Sequence, residues 1–224
     1  MKIKLLSLAF RTRAVITKIL KPKSRYYLTP ISNKYGFDRG TPFDRYWIEK
    51  FLQQYRHLIT GRVLEITDNA YTNKFGSNVT LSDVLDIDPK NKKANIIQNL
   101  KNMKLVQSDI YDCIILTQVL GIIDDLPLVV KELHRIIKPG GKLLITSSCM
   151  APTHDEDNSY WRFTKASMRY LFSDKFHTEI ETYGNALAGQ AFWVGLAQEE
   201  LTHEQLDYKD PRYPCIVTVM ATKK

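Results

Sequence analysis

A doubly wound α/β domain is the fold class that this 224-residue sequence predicts. Its apolar runs, such as 62–66 and 111–120, are short and do not alternate between buried and exposed positions. Segments with a helical spacing of apolar residues separate these runs. Strands that are buried on both faces and joined by helices are typical of a mostly parallel sheet with helices on both sides. The length suits one domain, which we expect to carry an N-terminal extension.

The first element of the domain is a helix that we expect to begin at Thr41. Thr41 can cap the helix, Pro42 suits the first helical position, and Asp44 completes the spacing of a capping box. Aromatic residues then recur every four positions, at Phe43, Trp47, Phe51 and Tyr55. We expect Gly61 to end this helix and the apolar segment 62–66 to form the first strand.

The middle of the chain continues the alternation of strands and helices. We expect a second strand over 78–88, a third over 111–120, and a helix that opens at Asp125 and ends at the segment 139–141, Pro-Gly-Gly. A further strand follows at 142–148. The remaining predicted elements are a helix over 165–172, a strand over 178–183, a long helix over 186–207 and a last strand over 215–222.

The positive charge of the chain is concentrated at its N-terminus. The formal net charge is +8, and residues 1–37 contain no acid. The basic residues of this segment are Lys2, Lys4, Arg11, Arg13, Lys18, Lys21, Lys23, Arg25 and Lys34. The rest of the chain is close to neutral, which argues against a nucleic-acid-binding face on the main domain.

The extension, residues 1–35, has the pattern of an amphipathic helix over its first 20 residues. Arg11 and Arg13 interrupt its apolar stretch too early for a signal peptide or a membrane span. Its leucines and isoleucines can share one side of a helix, with the cations on the other. The pattern predicts either contact of residues 1–25 with an anionic membrane surface or a helix that packs on the domain with a solvated basic face.

The cysteines indicate a reducing compartment. Cys113, Cys149 and Cys215 are far apart in the chain and odd in number, which argues against a disulfide framework or a zinc cluster. We therefore expect a cytoplasmic protein, and any membrane contact would be at the inner face.

Several ordered motifs resemble those of the class I S-adenosylmethionine-dependent methyltransferases. They are VLEI, VTLSD, YDCIILTQVL and LHRIIKPGGKLLIT, and the resemblance covers about residues 36–222. It implies a seven-stranded Rossmann-like sheet over a domain spanning 36–224, with S-adenosyl-L-methionine as the cofactor.

A narrower resemblance is to a bacterial subgroup of these enzymes. The segments NKYGFDRGTPFDRYWIEKFL, SDVLDIDPKN, SYWRFT and DYKDP are similar to those of members encoded with, or fused to, glycosyltransferases and polysaccharide-export functions. This resemblance implies methylation of a hydroxyl on a sugar or glycan precursor, and a glycosyltransferase as a partner. No nucleic acid is implied.

The turn after the first strand, VLEITDNAY, lacks the glycines of a nucleotide-binding loop. In the subgroup this turn reads LEIGD, so only Thr67 departs from the pattern. S-adenosylmethionine has no pyrophosphate, which relaxes the need for glycine. The resemblance implies that Glu65 orders the methionine end and that Thr67 and Asp68 form the turn; the alternative for Glu65 is a solvated strand-end acid.

The resemblance also implies contacts to the adenosine part of the cofactor. Asp83 has the place of the acid that accepts both ribose hydroxyls, and Asp86 and Asp88 compete for this role if the strand is longer. Asn99 has the place of an Asp that accepts from the adenine amino group, although it could equally cap a turn.

Two further residues are candidates for the same site. Gln118 is at the end of the third predicted strand, at the carboxyl edge where open α/β sheets bind ligands. Arg39 precedes the first helix, which in such folds lies over the cofactor, and Arg39 could pair with the cofactor carboxylate.

The loop after the strand 142–148 is the candidate acceptor site. His154, Asp155 and Asp157 are candidates for a general base that accepts the proton of a sugar hydroxyl, which is a poor nucleophile. The alternative is a solvated acidic loop.

Two classes of function remain. The first is an S-adenosylmethionine-dependent O-methyltransferase, and the second is an inactive binding or scaffold protein of the same fold in a glycan-assembly complex. Thr67 and Asn99 favour the second. A nicotinamide oxidoreductase would need a G-x-G-x-x-G turn, which the sequence lacks.

Overall fold

A computed structural model of the protein describes residues 27–153 and 156–224. The chain forms one seven-stranded sheet in the order β3-β2-β1-β4-β5-β7-β6. The strands are β1 Gly61–Ile66, β2 Val79–Asp86, β3 Ile96–Ile97, β4 Tyr111–Thr117, β5 Ile137–Ser148, β6 Phe176–Tyr183 and β7 Ile216–Lys223. The first five run parallel, and β7 is antiparallel to both of its neighbours. The predicted doubly wound, mostly parallel sheet is confirmed.

Helices cover both faces of this sheet. They are α1 Phe43–Gln54, α2 Ala70–Phe75, α3 Leu126–Ile136, α4 Lys165–Phe172, α5 Ala186–Trp193 and α6 His203–Asp207. Successive residues of β4 point to opposite cores: Ile114 packs with α3 and α4, and Ile115 packs with α1, α2 and α5. None of the described helices combines the length and the apolar character that a bilayer crossing requires.

The first helix differs from its prediction at both ends. Pro42 precedes α1 without a side-chain cap, and the Thr41 amide instead donates to the Glu199 carboxylate (2.9 Å). The helix ends at Gln54 and a 3-10 turn, Arg56–Leu58, follows. The capping box with Asp44 is therefore absent, because the Glu199 carboxylate accepts from the Thr41 N–H that the Asp44 side chain was expected to bind.

The long helix expected over 186–207 is two helices, α5 and α6, with a 3-10 turn between them. Gly195 ends α5 in a left-handed conformation (φ +76°), and a Cβ at this position would lie 2.0 Å from the Ser32 carbonyl oxygen. A close backbone approach from a distant segment thus breaks the helical pattern.

Smaller differences concern the sheet. β2 ends at Asp86 and β4 at Thr117, both earlier than predicted, and β5 already begins at Ile137, with the Pro-Gly-Gly segment inside it. The short α2 and β3 have no counterpart among the predicted elements. The helix predicted over the first 20 residues lies outside the described residues.

Candidate functional site

A cleft of about 400 Å³ opens at the carboxyl ends of β1, β2 and β4. The chain leaves β1 toward β2 on one side and reaches β4 on the other, so the cleft lies where the strand order reverses, the usual ligand site of open α/β sheets. Residues from five segments line it: Thr67, Asp86, Asn99, Val119, Asn158 and Tyr160. The volume is within the roughly 300–1,000 Å³ of small-molecule clefts.

Glu65 organises the turn between β1 and α2. Its buried carboxylate accepts hydrogen bonds from the Tyr71 N–H (3.1 Å), the Thr72 N–H (2.8 Å) and the Thr72 hydroxyl (2.7 Å). Burial raises the pKa of Glu65, and these hydrogen bonds from Thr72 and Tyr71 oppose the rise. Glu65 therefore satisfies free amides at the start of α2, and its buried carboxylate stabilises the turn between β1 and α2.

Thr67 forms the part of the turn that faces the cleft. Its backbone is left-handed (φ +73°), a conformation that favours glycine and is unusual for a β-branched residue. The Thr67 N–H donates to the Leu85 carbonyl (2.9 Å), and its carbonyl accepts from the Asn91 side chain (2.7 Å). The turn thus keeps the conformation of the missing glycine.

Asp68 lies beside this turn, at the start of α2. Its carboxylate accepts from the Ala70 N–H (3.1 Å) and pairs with Lys93 at 3.3 Å. The partly exposed Asp68 carboxylate keeps this edge of the site acidic.

Asp86 is the last residue of β2, and it lines the cleft. Its two carboxylate oxygens accept from the Asp88 N–H (2.9 Å) and from the Asn91 amide (2.6 Å). Partial burial alone would raise the pKa of Asp86, but these hydrogen bonds hold it below its ordinary value. Each oxygen retains a further lone pair, so the carboxylate can accept from two neighbouring ligand hydroxyls.

Asp83 lies away from the cleft. It is buried within β2, where it accepts from Arg62 (2.8 Å), Asn95 (2.7 Å) and the Tyr111 hydroxyl (3.1 Å). These residues belong to a separate cavity of about 510 Å³. The prediction that put Asp83 at the strand end is wrong, because β2 continues for three more residues to Asp86, the competing candidate.

The loop after β3 forms the opposite wall of the cleft. The Asn99 side-chain oxygen accepts from the Lys101 N–H (2.9 Å), so Asn99 caps a turn and also lines the cleft. Lys101 pairs with Asp124 (2.6 Å) and joins this loop to the segment after β4. The alternative in which Asn99 caps a turn is confirmed, and its contact with an adenine amino group stays a prediction.

Gln118 and Arg39 do not line the cleft. Gln118 follows β4 in a left-handed conformation, and its side-chain oxygen accepts from the Ser148 hydroxyl (2.9 Å); its neighbour Val119 lines the cleft instead. Arg39 forms a two-bond ion pair with Glu200. Glu200 accepts both of these guanidinium hydrogen bonds, and the contact between Arg39 and a cofactor carboxylate stays a prediction.

The loop after β5 covers one side of the cleft. The N–H groups of Tyr160 and Trp161 donate to the Gly121 carbonyl (3.0 and 3.1 Å), and the Trp161 indole donates to the Ile123 carbonyl (2.8 Å). These bonds bring Asn158 and Tyr160 to the cleft. Both follow the acidic run that the sequence indicated, and Tyr160 also belongs to the SYWRFT segment of the subgroup resemblance.

The three candidate bases of this loop have different outcomes. His154 and Asp155 lie outside the described residues. Asp157 is exposed and is next to Asn158, which lines the cleft. The role of Asp157 stays a prediction.

The first turn of α1 reaches the turn after β1. The Arg45 guanidinium donates to the Tyr71 hydroxyl and is close enough to Asp44 and Asp68 to interact with both charges. Burial raises the pKa of Asp44, and the Arg45 charge opposes this rise. An added helix thus lies against the site, as the sequence motif around Arg45 suggested.

A comparison with known protein families agrees with this geometry. A family model described as a methyltransferase domain matches residues 51–187. The chain belongs to this methyltransferase family. The match contains β1 to β6 and every described residue that lines the cleft.

Solved structures show that the methyltransferase shares its fold with enzymes that use S-adenosylmethionine. An S-adenosylmethionine-dependent methyltransferase from Archaeoglobus fulgidus is 14% identical with a TM-score of 0.55, over 80% of this chain and 94% of that one. The N-methyltransferase NodS from Bradyrhizobium japonicum, bound to S-adenosylhomocysteine, is 12% identical with a TM-score of 0.56, over 87% and 94%.

A third similar structure is the phosphoethanolamine N-methyltransferase 2 of Haemonchus contortus in complex with S-adenosylmethionine. It is 14% identical with a TM-score of 0.54, over 80% of this chain and 52% of that one. At such identities the likeness shows the fold alone. No curated protein matches the sequence.

Proposed function

We propose that the protein is an S-adenosylmethionine-dependent methyltransferase that binds its cofactor in the cleft at the ends of β1, β2 and β4. The observation that carries the proposal is Asp86. Its carboxylate is at the last position of β2, lines the cleft and has its pKa held low, so it is ionised at neutral pH. A fixed carboxylate at this position is suited to the paired hydroxyls of a ribose.

The other residues of the cleft fit the remaining parts of this cofactor. Asn99 offers an amide beside the position for the adenine, and the left-handed turn at Thr67 offers its backbone to the methionine end. Asp68, beside this turn and paired with Lys93, would offer its carboxylate to the ammonium of that end. When bound, S-adenosylmethionine would supply a methyl group on a sulfonium, which an acceptor attacks in line at the methyl carbon, with S-adenosylhomocysteine as the leaving group.

The protein's part in this reaction is to position the acceptor and exclude water. Orientation of two reacting groups can contribute roughly 7–11 kcal/mol. Arg45 is hydrogen-bonded to Tyr71 of α2, and the loop at Tyr160 and Trp161 is hydrogen-bonded to the segment after β4, so both segments could help to position an acceptor. We propose that a base on that loop accepts the acceptor's proton, with His154, Asp155 and Asp157 as the candidates.

We propose a hydroxyl of a sugar or glycan precursor as the acceptor and a glycosyltransferase as a partner. Support comes from the segments 33–52, 82–91, 159–164 and 207–211, which are similar to those of the glycan-associated bacterial subgroup. Transfer of a labelled methyl group should be measured on nucleotide sugars and oligosaccharides, with phosphoethanolamine as an amine acceptor. Methylation of phosphoethanolamine, with no methylation of the sugars, would contradict the proposed O-methyltransferase activity.

One observation favours the alternative, a non-catalytic scaffold of the same fold. Thr67 lines the cleft, in a turn where the similar sequences have glycine. If its side chain excludes the cofactor, the fold would serve only to bind a partner.

Calorimetry distinguishes the two functions. We expect the full-length protein to bind S-adenosylmethionine and S-adenosylhomocysteine, and Asp86→Asn to weaken both by roughly 10- to 100-fold, the effect of losing charged hydrogen bonds. Asp83→Asn is the matched control, because this acid belongs to the other cavity. It should lower stability but leave the affinity of the folded protein nearly unchanged.

The other outcomes are equally informative. If Asp83→Asn loses much of its affinity for the two ligands and Asp86→Asn loses none, Asp83 is the residue that binds the ribose hydroxyls. If the folded wild-type protein binds neither ligand, the scaffold function replaces the methyltransferase.

A further inference from the structure

Helix α5 has an apolar outer face. None of its eight residues, ALAGQAFW, is charged. Ala188, Gly189, Ala191 and Phe192 are buried against the sheet. The opposite side shows Leu187 (46% exposed), Gln190 and Trp193 (50% exposed), at a spacing of three residues that makes them neighbours on one face. A solvent-facing helix side is ordinarily polar, so this face is suited to an apolar partner.

The described chain begins next to this helix. The N–H groups of Ile31 and Ser32 donate to the Val194 carbonyl at the end of α5 (2.8 and 3.2 Å). Leu28, three residues earlier, is fully exposed, and Ile31 is 44% exposed. More apolar surface therefore lies within about 10 Å of chain length from the end of α5.

The residues that precede this point carry a high positive charge. Residues 1–26 contain eight of the chain's Lys and Arg residues and no Asp or Glu, and their sequence also includes many leucines and isoleucines. Basic residues beside exposed apolar and aromatic side chains are the combination that binds the surface of an anionic bilayer.

We propose that the outer face of α5 and the start of the described chain form a docking surface for an anionic lipid bilayer. The docking surface consists of Leu28, Ile31, Leu187, Gln190 and Trp193; residues 1–26 contribute positive charge through their sequence. Trp193 would lie at the level of the lipid headgroups, where tryptophan is enriched in membrane proteins. The basic segment would supply the electrostatic attraction to the same surface.

An anionic bilayer suits these features better than a nucleic acid does. The basic residues alone would serve for either polyanion, but a nucleic-acid backbone offers nothing to an uncharged helix face with Leu187 and Trp193. A bilayer binds both parts at once.

Vesicle co-sedimentation of the full-length protein tests the proposal. We expect binding to vesicles in which about a third of the lipid is phosphatidylglycerol and little binding to pure phosphatidylcholine. Lys18→Gln with Lys21→Gln should weaken binding, roughly fivefold for each charge removed. Equal binding to both kinds of vesicle, or to neither, would overturn the proposal.

Trp193 fluorescence tests whether α5 itself makes the contact. The chain has three tryptophans; Trp47 is fully buried, and Trp161→Phe leaves Trp193 as the exposed one. Anionic vesicles should shift its emission to the blue, and brominated lipids should quench it. Vesicle binding without either change would mean that the basic segment binds alone, which contradicts the docking surface.

Two further results would count against it. One is that Trp193 is already shielded from acrylamide without vesicles, because the N-terminal segment covers α5. The other is that duplex DNA binds the protein as tightly as the anionic vesicles do.

A matched pair of variants completes the experiment. Leu187→Ser with Trp193→Ser should lower vesicle binding at least tenfold, while Tyr170→Ser should leave it unchanged. Tyr170 is 88% exposed on α4, which packs on the other face of the sheet. Circular dichroism and melting curves check that all variants fold, and equal binding by both variants would refute the role of α5.

Discussion

Thr67 has a strained backbone and lies in the proposed cofactor site. Left-handed backbone costs an L-residue about 1–2 kcal/mol, and Thr67 takes this conformation in the lining of the cleft. The hydrogen bonds of its N–H to Leu85 and of its carbonyl to Asn91 hold this conformation. The turn after β1 is therefore maintained by its surroundings and not by the preference of its central residue.

We expect Thr67→Gly to stabilise the protein and to tighten cofactor binding. Relief of the left-handed strain, about 1–2 kcal/mol, should exceed the entropy cost of a new glycine, about 0.5–1 kcal/mol. Urea denaturation should show a gain of up to about 1 kcal/mol in the free energy of unfolding. Calorimetry with S-adenosylhomocysteine should show tighter binding.

Thr80→Gly is the control for this change. Thr80 is exposed within the strand β2, so the same substitution there should lower the free energy of unfolding by about 0.5–1 kcal/mol. If Thr67→Gly lowers the free energy of unfolding as much as Thr80→Gly does, the turn is not strained.

At the scale of elements, Gly195 ends α5 and allows the segment at Ser32 to pack closely against the end of this helix. Gly195 and Gly140 share almost the same left-handed backbone, with φ of +76° and +74°. A Cβ on Gly195 would lie 2.0 Å from the Ser32 carbonyl oxygen, whereas a Cβ on Gly140 would meet nothing within 4 Å. A substitution at Gly140 therefore measures backbone strain alone, and the same substitution at Gly195 measures strain together with the clash against Ser32.

We expect Gly140→Ala to cost about 1–2 kcal/mol, the left-handed strain alone. Gly195→Ala should cost about 2–4 kcal/mol, because the added methyl also pushes the segment at Ser32 away. Chemical denaturation of both variants measures the difference. Equal losses would show that the segment at Ser32 can move aside freely.

A second element-scale contact ties the loop before β4 to α3. Glu132 accepts from the Met103 N–H (2.9 Å) and from Arg135 (2.8 Å), and Arg135 donates to the carbonyls of Met103 and Val106, both at 2.8 Å. The hydrogen bond from Arg135 holds the pKa of Glu132 below its ordinary value, against the opposing effect of burial.

The lowered pKa of Glu132 predicts a loss of stability in acid. A carboxylate with a lowered folded-state pKa stabilises the protein above its unfolded pKa, about 4.3 for Glu, and the contribution disappears as the pH falls through the folded value. Urea denaturation measures the free energy of unfolding at neutral pH and near pH 3. The fall in this free energy between the two pH values should be larger by about 1 kcal/mol in the wild type than in Glu132→Gln. Parallel losses would contradict the assignment.

At the scale of the whole molecule, ligand binding should be visible as global stability. A ligand at a hundred times its dissociation constant stabilises the native state by about 2.7 kcal/mol. For a chain of this length that corresponds to a rise in melting temperature of roughly 5–10 °C. We expect S-adenosylhomocysteine to produce such a rise in the wild type and none in Asp86→Asn at the same concentration. A folded wild-type protein with an unchanged melting temperature would support the scaffold.

The sequence alone determined the class of the fold and the general position of the site. Buried apolar runs such as 62–66 and 111–116 identify strands of a parallel sheet because their burial depends on local composition. The turn at Thr67 and Asp68 and the loop at Asn99 came from the resemblance to the methyltransferases, whose motifs are contiguous segments of the chain. These features depend on neighbours in sequence.

Tertiary structure decided which side chains reach the cleft. The segment S-D-V-L-D-I-D offers three acids, and only the pairing of Asp86 with Ile97 of β3 shows where the strand stops and which acid lies at its end. Arg39 is engaged by Glu200, and Gly195 ends α5 against Ser32, across gaps of more than 160 residues. Contacts between such distant segments leave no periodic pattern in the chain, so only the folded structure reveals them.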